Sequence, residues 1–204
     1  MIVKVCGMRD PDNIRAVEGL GVDWMGFIFV PESPRYVGDG VPPYLPKFCK
    51  RVGVFADASE EEICRRAEDF SLNVIQLHGH ESPDFCRSIS NQLPTALIVK
   101  AFSIESADDL RKVKPYSRVA AYFLFDAGKG GSGKSFDWSI LEKYRSKTPF
   151  IIGGGIGPDS VESLREVHNP MWRGIDLNSR FESSPGIKDV EMLKNFLKEI
   201  NEQD

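Results

Sequence analysis

The stretch Tyr122–Trp138, YFLFDAGKGGSGKSFDW, joins a carboxyl group to a glycine-rich loop. An apolar run typical of a buried strand ends at Asp126, and four of the next seven residues are glycine. Two chemistries fit this arrangement. In one, Asp126 is a catalytic carboxyl at the mouth of a parallel sheet or barrel, under a lid with glycine hinges. In the other, Gly128–Ser135 is a phosphate-binding loop, because GKGGSGKS matches G-x-x-x-x-G-K-[ST].

The residues that follow this loop favour the lid. In a phosphate-binding loop, the lysine and serine open a helix directly, because the phosphates lie at the helix N-terminus. Here Phe136 follows the serine, and Asp137 is the better helix cap. We also find no convincing second strand with a carboxylate for magnesium. Asp126 is therefore a candidate general acid, and a carboxylate that caps the glycine-rich turn is the alternative.

A second reactive group, Cys6, ends the first apolar run of the chain, just before Gly7. Side chains alternate along a strand, so Lys4 and Cys6 share a face. A buried Lys4 ammonium would help to hold a thiolate, the form of cysteine that acts as a base or nucleophile. Lys4 would need a carboxylate partner, and Asp176 is a candidate if the last strand lies beside the first. The alternative is that Cys6 is a small buried apolar residue.

Three further segments carry groups suited to binding anions. Arg35, in SPRYV, could form a bidentate pair with a substrate carboxylate, or be a solvated loop arginine. Gly153–Gly155 and Asn178–Ser183 follow the seventh and eighth apolar runs, where barrels often bind phosphate together with a short extra helix. We expect Ser183–Asp189, SSPGIKD, to supply that helix or a turn. Ordinary turns, without a bound anion, are the alternative for the segments after the seventh and eighth runs. We expect His78, in QLHGHE, to be structural.

These groups follow short apolar runs that alternate with amphipathic stretches. Strand-then-helix repetition implies parallel pairing and right-handed crossovers, and eight such units predict a single (β/α)8 barrel over residues 1–204. A doubly wound open sheet is the rival. The predicted strands are Ile2–Cys6, Trp24–Phe29, Arg51–Phe55, Val74–Leu77, Ala96–Phe102, Ala120–Phe125, Phe150–Ile152 and Gly174–Leu177. The predicted helical segments are Asp10–Gly19, Tyr44–Cys49, Ser59–Phe70, Ser82–Ser90, Ile104–Val113, Trp138–Tyr144, Pro158–Val167 and Val190–Ile200.

Composition narrows the function classes. A net charge of −4 and a pI near 5.5 argue against an electrostatic nucleic-acid binder. The sequence has no apolar run of about 18 residues, so no membrane span is expected, and no signal-peptide pattern opens it. No two of the four cysteines have CxxC spacing, so a zinc site is not expected. We expect reduced thiols and a cytoplasmic protein.

Six motifs, in order over residues 4–189, together resemble one family, phosphoribosylanthranilate isomerase of tryptophan biosynthesis. Each is weak by itself, but six in register are highly specific. They are KVCGM at the first strand, SPRYV after the second, QLHG at the fourth, FDAGKGGSGKSFDW at the sixth, GGGIGPDSV at the seventh and ESSPGIKD after the eighth.

The resemblance implies an Amadori rearrangement that needs no cofactor and no metal. N-(5-phosphoribosyl)anthranilate becomes 1-(2-carboxyphenylamino)-1-deoxyribulose 5-phosphate. By similarity, Asp126 is the general acid that protonates the furanose ring oxygen, and Cys6 is the general base that removes the C2 proton. Arg35 would hold the anthranilate carboxylate. The phosphate would be held at Gly154, Gly155, Asn178, Ser179 and Arg180.

One residue departs from the resemblance. The family often has a run such as Ser-Ser-Gly after the last strand, whereas this chain has Asn178, Ser179 and Arg180. If that position requires a positive φ, Arg180 would be strained there.

We expect a monomer or weak dimer that acts on a small phosphosugar. The rivals are another phosphosugar barrel enzyme, a nucleotide-binding switch that uses GKGGSGKS, and an inactive barrel kept as a binding scaffold.

Overall fold

A computed structural model describes residues 1–127 and 136–202. The GKGGSGKS segment, residues 128–135, lies outside them. Eight parallel strands close into a barrel in the order β1 to β8, with β8 beside β1. The fold is therefore the predicted (β/α)8 barrel, and the open-sheet rival is wrong. The strands are Ile2–Val5 (β1), Trp24–Ile28 (β2), Lys50–Phe55 (β3), Val74–Leu77 (β4), Leu97–Ser103 (β5), Tyr122–Asp126 (β6), Phe150–Ile152 (β7) and Trp172–Leu177 (β8).

Closure of the barrel brings the two ends of the chain together. β1 pairs with β8 in a register that sets Lys4 beside Asp176. The Lys4 Nζ lies 2.8 Å from Asp176 Oδ2, and both side chains are buried. The ion pair expected from strand alternation and barrel closure is confirmed. A buried ammonium without such a partner would be costly, so the pair also favours this register.

Five α-helices and four 3-10 helices flank the barrel in the described part of the chain. Side-chain caps begin two of the α-helices, since Asp10 accepts the Asn13 N–H and Ser59 accepts the Glu62 N–H. None of these helices is long and apolar enough to cross a membrane. The α-helices are Pro11–Glu18 (α1), Glu60–Asp69 (α2), Pro83–Gln92 (α3), Val161–Arg165 (α4) and Val190–Asn201 (α5), and the 3-10 helices are Asp109–Arg111, Lys114–Tyr116, Trp138–Lys143 and Ser179–Phe181.

Some of the predicted helices are wrong. Tyr44–Cys49 is not helical, because Pro42, Pro43 and Pro46 remove N–H donors and push the residues before them towards extended backbone. Ile104–Val113 contains a 3-10 helix, Asp109–Arg111, in place of the predicted helix, and the predicted Trp138–Tyr144 helix is a 3-10 helix over Trp138–Lys143. Ser183–Asp189 contains a turn, which was one of the two forms expected for this segment. The chain there forms an antiparallel hairpin of Glu182–Ser184 (β9) and Ile187–Lys188 (β10).

Apolar side chains pack in two layers. The larger cluster lies between the strands and the surrounding helices, and the smaller one fills the barrel interior, where it includes Cys6. Polar side chains on the interior face, among them Lys4 and Gln76, are also buried. Because the lower interior is filled in this way, chemistry is confined to the end of the barrel where the strands lead into their following loops.

A second buried ion pair fixes the loop after β4. Lys100 Nζ lies 3.3 Å from Glu81 Oε2, and the two side chains are 3% and 2% exposed. The same ammonium donates to the carbonyl oxygens of Leu77 and Gly79, on either side of His78. Glu81 in turn accepts the N–H groups of Asp57 and Gly79. This loop is therefore held by charge as well as by backbone pairing.

Replacing Lys100 with methionine should lower the free energy of unfolding by about 3–5 kcal/mol, because Glu81 would be left buried without its counter-ion. Urea denaturation followed by circular dichroism measures the loss. Lys194→Met is the matched control, since its partner Glu191 lies 3.5 Å away and both side chains are exposed. The control should change stability by less than about 1 kcal/mol. Equal losses in the two variants would contradict the structural role of Lys100.

Candidate active site

A cavity of about 430 Å³ opens at the carboxyl ends of the strands. Most of the predicted site residues meet there: Cys6, Arg35, Asp126, Gly154, Gly155, Asn178 and Ser179 all line it. His78 and Asp176 line it as well. Groups from six strands or the loops that follow them therefore converge on one hollow of small-molecule size.

Cys6 follows β1 and is almost completely buried at the base of this cavity. Its N–H donates to the Leu177 carbonyl, which continues the pairing of β1 with β8. Gly26 on β2 leaves room for the sulfur, because a Cβ at that position would lie 2.7 Å from Cys6 Sγ. The position of the thiol is thus set by the backbone of β1 and by Gly26 on β2, which has no side chain to displace it.

Burial raises the pKa of the Cys6 thiol above its usual range. The Lys4 ammonium opposes this shift, but the Asp176 carboxylate paired with Lys4 adds to it. Burial alone would lower the pKa of Lys4, yet Asp176 and Cys6 reverse that shift and raise it, so Lys4 stays cationic. Lys4 therefore favours the thiolate, as expected, but its effect is smaller than the opposing effects of burial and Asp176. The raised pKa favours the thiol form of Cys6 in the free protein, so the thiolate must form before Cys6 can act as a base.

Asp126 ends β6, with its side chain buried at the cavity wall. One carboxylate oxygen, Oδ1, accepts the Ala127 N–H at 2.8 Å. The other, Oδ2, lies 3.4 Å from Nε2 of His78. That ring nitrogen is buried and has no hydrogen-bond partner among residues 1–127 and 136–202. His78, expected to be merely structural, therefore faces the candidate acid.

Gly154 packs against this carboxyl group. Its φ is +71°, and a Cβ there would lie 2.3 Å from Asp126 Oδ1 and 2.4 Å from the Ala127 nitrogen. The neighbouring Gly155 also has a positive φ, of +73°. Glycine is required on both counts at position 154, because an L side chain would be strained in this backbone and would displace Asp126.

Gly154→Ala should lower kcat/KM by about 10²-fold, because an acid displaced by about 1 Å loses much of its effect. Steady-state assays on the purified variant measure the change. Gly21→Ala is the matched control. Gly21 has a φ of +76°, but a Cβ at that position would have no neighbour within 4 Å, so the variant reports backbone strain alone, about 1–2 kcal/mol of stability. If both variants kept normal kcat/KM, the contact with Asp126 would be unimportant.

Arg35 is buried and already paired inside the protein. Its Nε and Nη2 donate to the Glu182 carboxylate at 2.8–3.0 Å. Lys188 Nζ donates to the same carboxylate at 2.5 Å and to Asn178 Oδ1 at 2.8 Å. Burial opposes ionisation of Glu182, but the hydrogen bonds from Arg35 and Lys188 lower its pKa. Neither Glu182 nor Lys188 was predicted from the sequence as a site residue, although both belong to the ESSPGIKD motif.

Arg180 lies just outside this cavity and braces the loop after β7. Its Nη1 donates to the Gly155 carbonyl at 3.2 Å, and its Nη2 lies 2.9 Å from Asp159 Oδ1. The backbone at Arg180 does not have a positive φ, so the expected strain is absent. The short helix after β8 is Ser179–Phe181, and the SSPGIKD segment supplies the turn that was the other expectation for it. Among the described residues, no group of three or more His, Cys, Asp or Glu side chains is arranged to hold a metal ion.

Comparison with known proteins identifies the family. The family model "N-(5'phosphoribosyl)anthranilate (PRA) isomerase" matches residues 3–199. The chain belongs to the phosphoribosylanthranilate isomerase family. A phosphoribosylanthranilate isomerase of Phocaeicola vulgatus is 48% identical over all of this chain and 99% of the relative. One from Parabacteroides distasonis is 43% identical over 98% of this chain and 93% of the relative.

Solved phosphoribosylanthranilate isomerases share the barrel. The enzymes of Thermus thermophilus and Thermotoga maritima, at 28% and 32% identity, each superpose with a TM-score of 0.82 over 98% of both chains. A further structure, at 30% identity, a TM-score of 0.80 and 98% coverage of both chains, is a complex with reduced 1-(o-carboxyphenylamino)-1-deoxyribulose 5-phosphate. Another describes monomers generated from the dimeric Thermotoga maritima enzyme, at 30% identity, a TM-score of 0.80 and 98% coverage of both chains.

Proposed function

We propose that this member of the phosphoribosylanthranilate isomerase family converts N-(5-phosphoribosyl)anthranilate to 1-(2-carboxyphenylamino)-1-deoxyribulose 5-phosphate, with Asp126 as general acid and Cys6 as general base. The observation that carries the assignment is that both groups line one cavity while β7 and β8 separate their strands. A pentose in that cavity can therefore meet an acid from one wall and a base from another.

The first step opens the sugar ring. Protonated Asp126 donates its proton to the furanose oxygen while the bond from that oxygen to C1 breaks, and the anthranilate nitrogen supplies the electron pair of a Schiff base. The Ala127 N–H and His78 hold the carboxyl group in place. Once the proton has left, the same two neighbours can stabilise the carboxylate that remains.

The second step moves a proton from carbon. The Cys6 thiolate removes the C2 proton, the electrons of that C–H bond form the C1–C2 double bond of an enolamine, and the π electrons of the Schiff base return to the anthranilate nitrogen. The enolamine then takes a proton at C1 and loses the proton of its C2 hydroxyl group to give the ketone. Lys4 lies next to the sulfur in the interior of the barrel and favours the negative form of Cys6 during this step.

The ends of the substrate need separate binding groups. Arg35, which lines the cavity, binds the anthranilate carboxylate. The phosphate is placed at the loops after β7 and β8, where Gly154, Gly155, Asn178 and Ser179 offer backbone or polar groups. Arg180 lies at the edge of these loops, where Asp159 shares its charge, and it completes the proposed phosphate site.

A continuous assay of loss of substrate fluorescence tests the activity. We expect turnover of N-(5-phosphoribosyl)anthranilate and none of ribulose phosphate, and expression of the gene should restore growth of a tryptophan auxotroph that lacks the isomerase. Turnover of ribulose phosphate alone would favour another phosphosugar enzyme. Tight magnesium-dependent ATP or GTP binding in calorimetry, without isomerase activity, would favour a nucleotide switch through GKGGSGKS.

The same proposal covers the cellular compartment, the domain organisation and the oligomeric state of the enzyme. The four cysteines are unpaired, which suits a reducing compartment, so we place the enzyme in the cytoplasm. All described strands of the barrel contribute to one closed sheet, so residues 1–204 act as one domain. The described site draws its groups from one chain, and a monomer or weak dimer is sufficient for activity.

A further inference from the structure

Arg35, the proposed carboxylate-binding residue, belongs to a buried ion-pair chain with Glu182 and Lys188. Glu182, on β9, accepts hydrogen bonds from Arg35 and from Lys188, which lies on the paired strand β10. The Glu182 side chain is 4% exposed, and that of Lys188 is 0% exposed. Asn13 anchors the backbone of Lys188 to α1, since it accepts the Lys188 N–H at 2.8 Å and donates to the Lys188 carbonyl at 2.9 Å. The hairpin is thus held rigidly against the barrel.

The pairing uses only one edge of the guanidinium. Arg35 gives its Nε and one Nη2 hydrogen to Glu182, which leaves the edge formed by Nη1 and the second Nη2 hydrogen. Arg35 also lines the cavity. A fixed guanidinium with a free edge is suited to a second, bidentate contact with a planar carboxylate.

The charges of the cluster favour the binding of an anion. Lys4, Arg35 and Lys188 are buried cations near Cys6, and Asp176 and Glu182 are the carboxylates paired with them. Lys188 shares the charge of Glu182, so Glu182 does not neutralise Arg35 completely. Within this ion-pair chain the two cations Arg35 and Lys188 share the one carboxylate of Glu182, and a substrate carboxylate would balance the remaining charge on Arg35.

We propose that Glu182 and Lys188 are positioning residues that hold Arg35 in the orientation needed to select a carboxylate on the aromatic ring of the substrate. The proposal rests on the function proposed above for Arg35. It assigns no proton transfer to either residue. Preorganisation of this kind lowers the cost of ordering a long side chain when the substrate binds.

The test compares two substrates, N-(5-phosphoribosyl)anthranilate and its aniline analogue, which lacks the carboxylate. Glu182→Gln should raise KM for the first substrate about tenfold, the loss expected for one charge-assisted hydrogen bond. Its kcat should change less than about threefold. For the aniline analogue kcat/KM should stay the same, which a general loss of structure would not produce.

Two further variants separate positioning from stability. If the single variant folds poorly, Glu182→Gln combined with Lys188→Met removes the second cation as well, so that of the two partners of Glu182 only Arg35, which lines the cavity, lacks a counter-ion. Glu32→Gln removes a negative charge from an exposed side chain at the same cavity, outside the ion-pair chain. The double variant should lose the preference for the carboxylated substrate, whereas Glu32→Gln should keep it and should not raise KM.

A double-mutant cycle with Arg35→Met distinguishes the possible failures. If Glu182 acts through Arg35, Glu182→Gln should have no further effect in the Arg35→Met background. If Arg35→Met abolishes the preference for the carboxylate but Glu182→Gln and the double variant do not change it, only the positioning proposal is wrong. If Arg35→Met itself leaves the preference intact, the proposed role of Arg35 is wrong as well.

Discussion

Replacing Cys6 with alanine should lower kcat by about 10²–10⁴-fold, because one general base is removed from the C2 proton-transfer step. The cavity and its binding groups remain, so KM should change much less than kcat. Substrate loss followed by fluorescence measures both constants. The structure makes the expected effect large, since among the described residues Cys6 is the only cysteine that lines the cavity.

Cys86→Ala is the matched control for this prediction. Cys86 is also completely buried, but it lies on α3, away from the cavity, and burial raises its pKa to about 11. Its loss should affect stability and leave kcat unchanged. A Cys6→Ala variant with near-normal kcat and a normal melting curve would rule out Cys6 as the base.

Asp126→Asn should cause a loss of similar size, about 10²–10⁴-fold in kcat, because the amide keeps the shape of the side chain but cannot deliver the acid proton. The amide oxygen can still accept the Ala127 N–H, so the fold at the end of β6 should survive. Asp137→Asn is the control at the far end of the same loop. There asparagine can still cap the following 3-10 helix, and kcat should be unchanged. Normal turnover by the Asp126→Asn variant would rule out Asp126 as the general acid.

The pH dependence of Asp126→Asn should isolate the base. With no titrating acid at position 126, the residual kcat/KM should follow the thiolate fraction of Cys6. Burial raises the pKa of that thiol, so the thiol form dominates near neutrality and the rate should rise about tenfold per pH unit. A residual rate that falls or stays level between neutral and mildly alkaline pH would contradict Cys6 as the base.

Local sequence determined much of the architecture. Alternating strand and helix patterns predicted all eight strands and the closed barrel, because apolar periodicity and caps depend on neighbouring residues. The same reasoning placed Cys6 and Asp126 at strand ends, and barrel closure was enough to pair Lys4 with Asp176. It failed at Tyr44–Cys49, where prolines override the apolar pattern.

Tertiary structure alone decided the electrostatics of the site. Arg35 and Glu182 are 147 residues apart, and nothing in their local sequence indicates which carboxylate a buried guanidinium meets. Lys4 favours the Cys6 thiolate, as the strand alternation suggested, but burial and Asp176 outweigh it and raise the pKa of the thiol. Such balances depend on distances and desolvation summed over several elements, and these exist only once the barrel has closed.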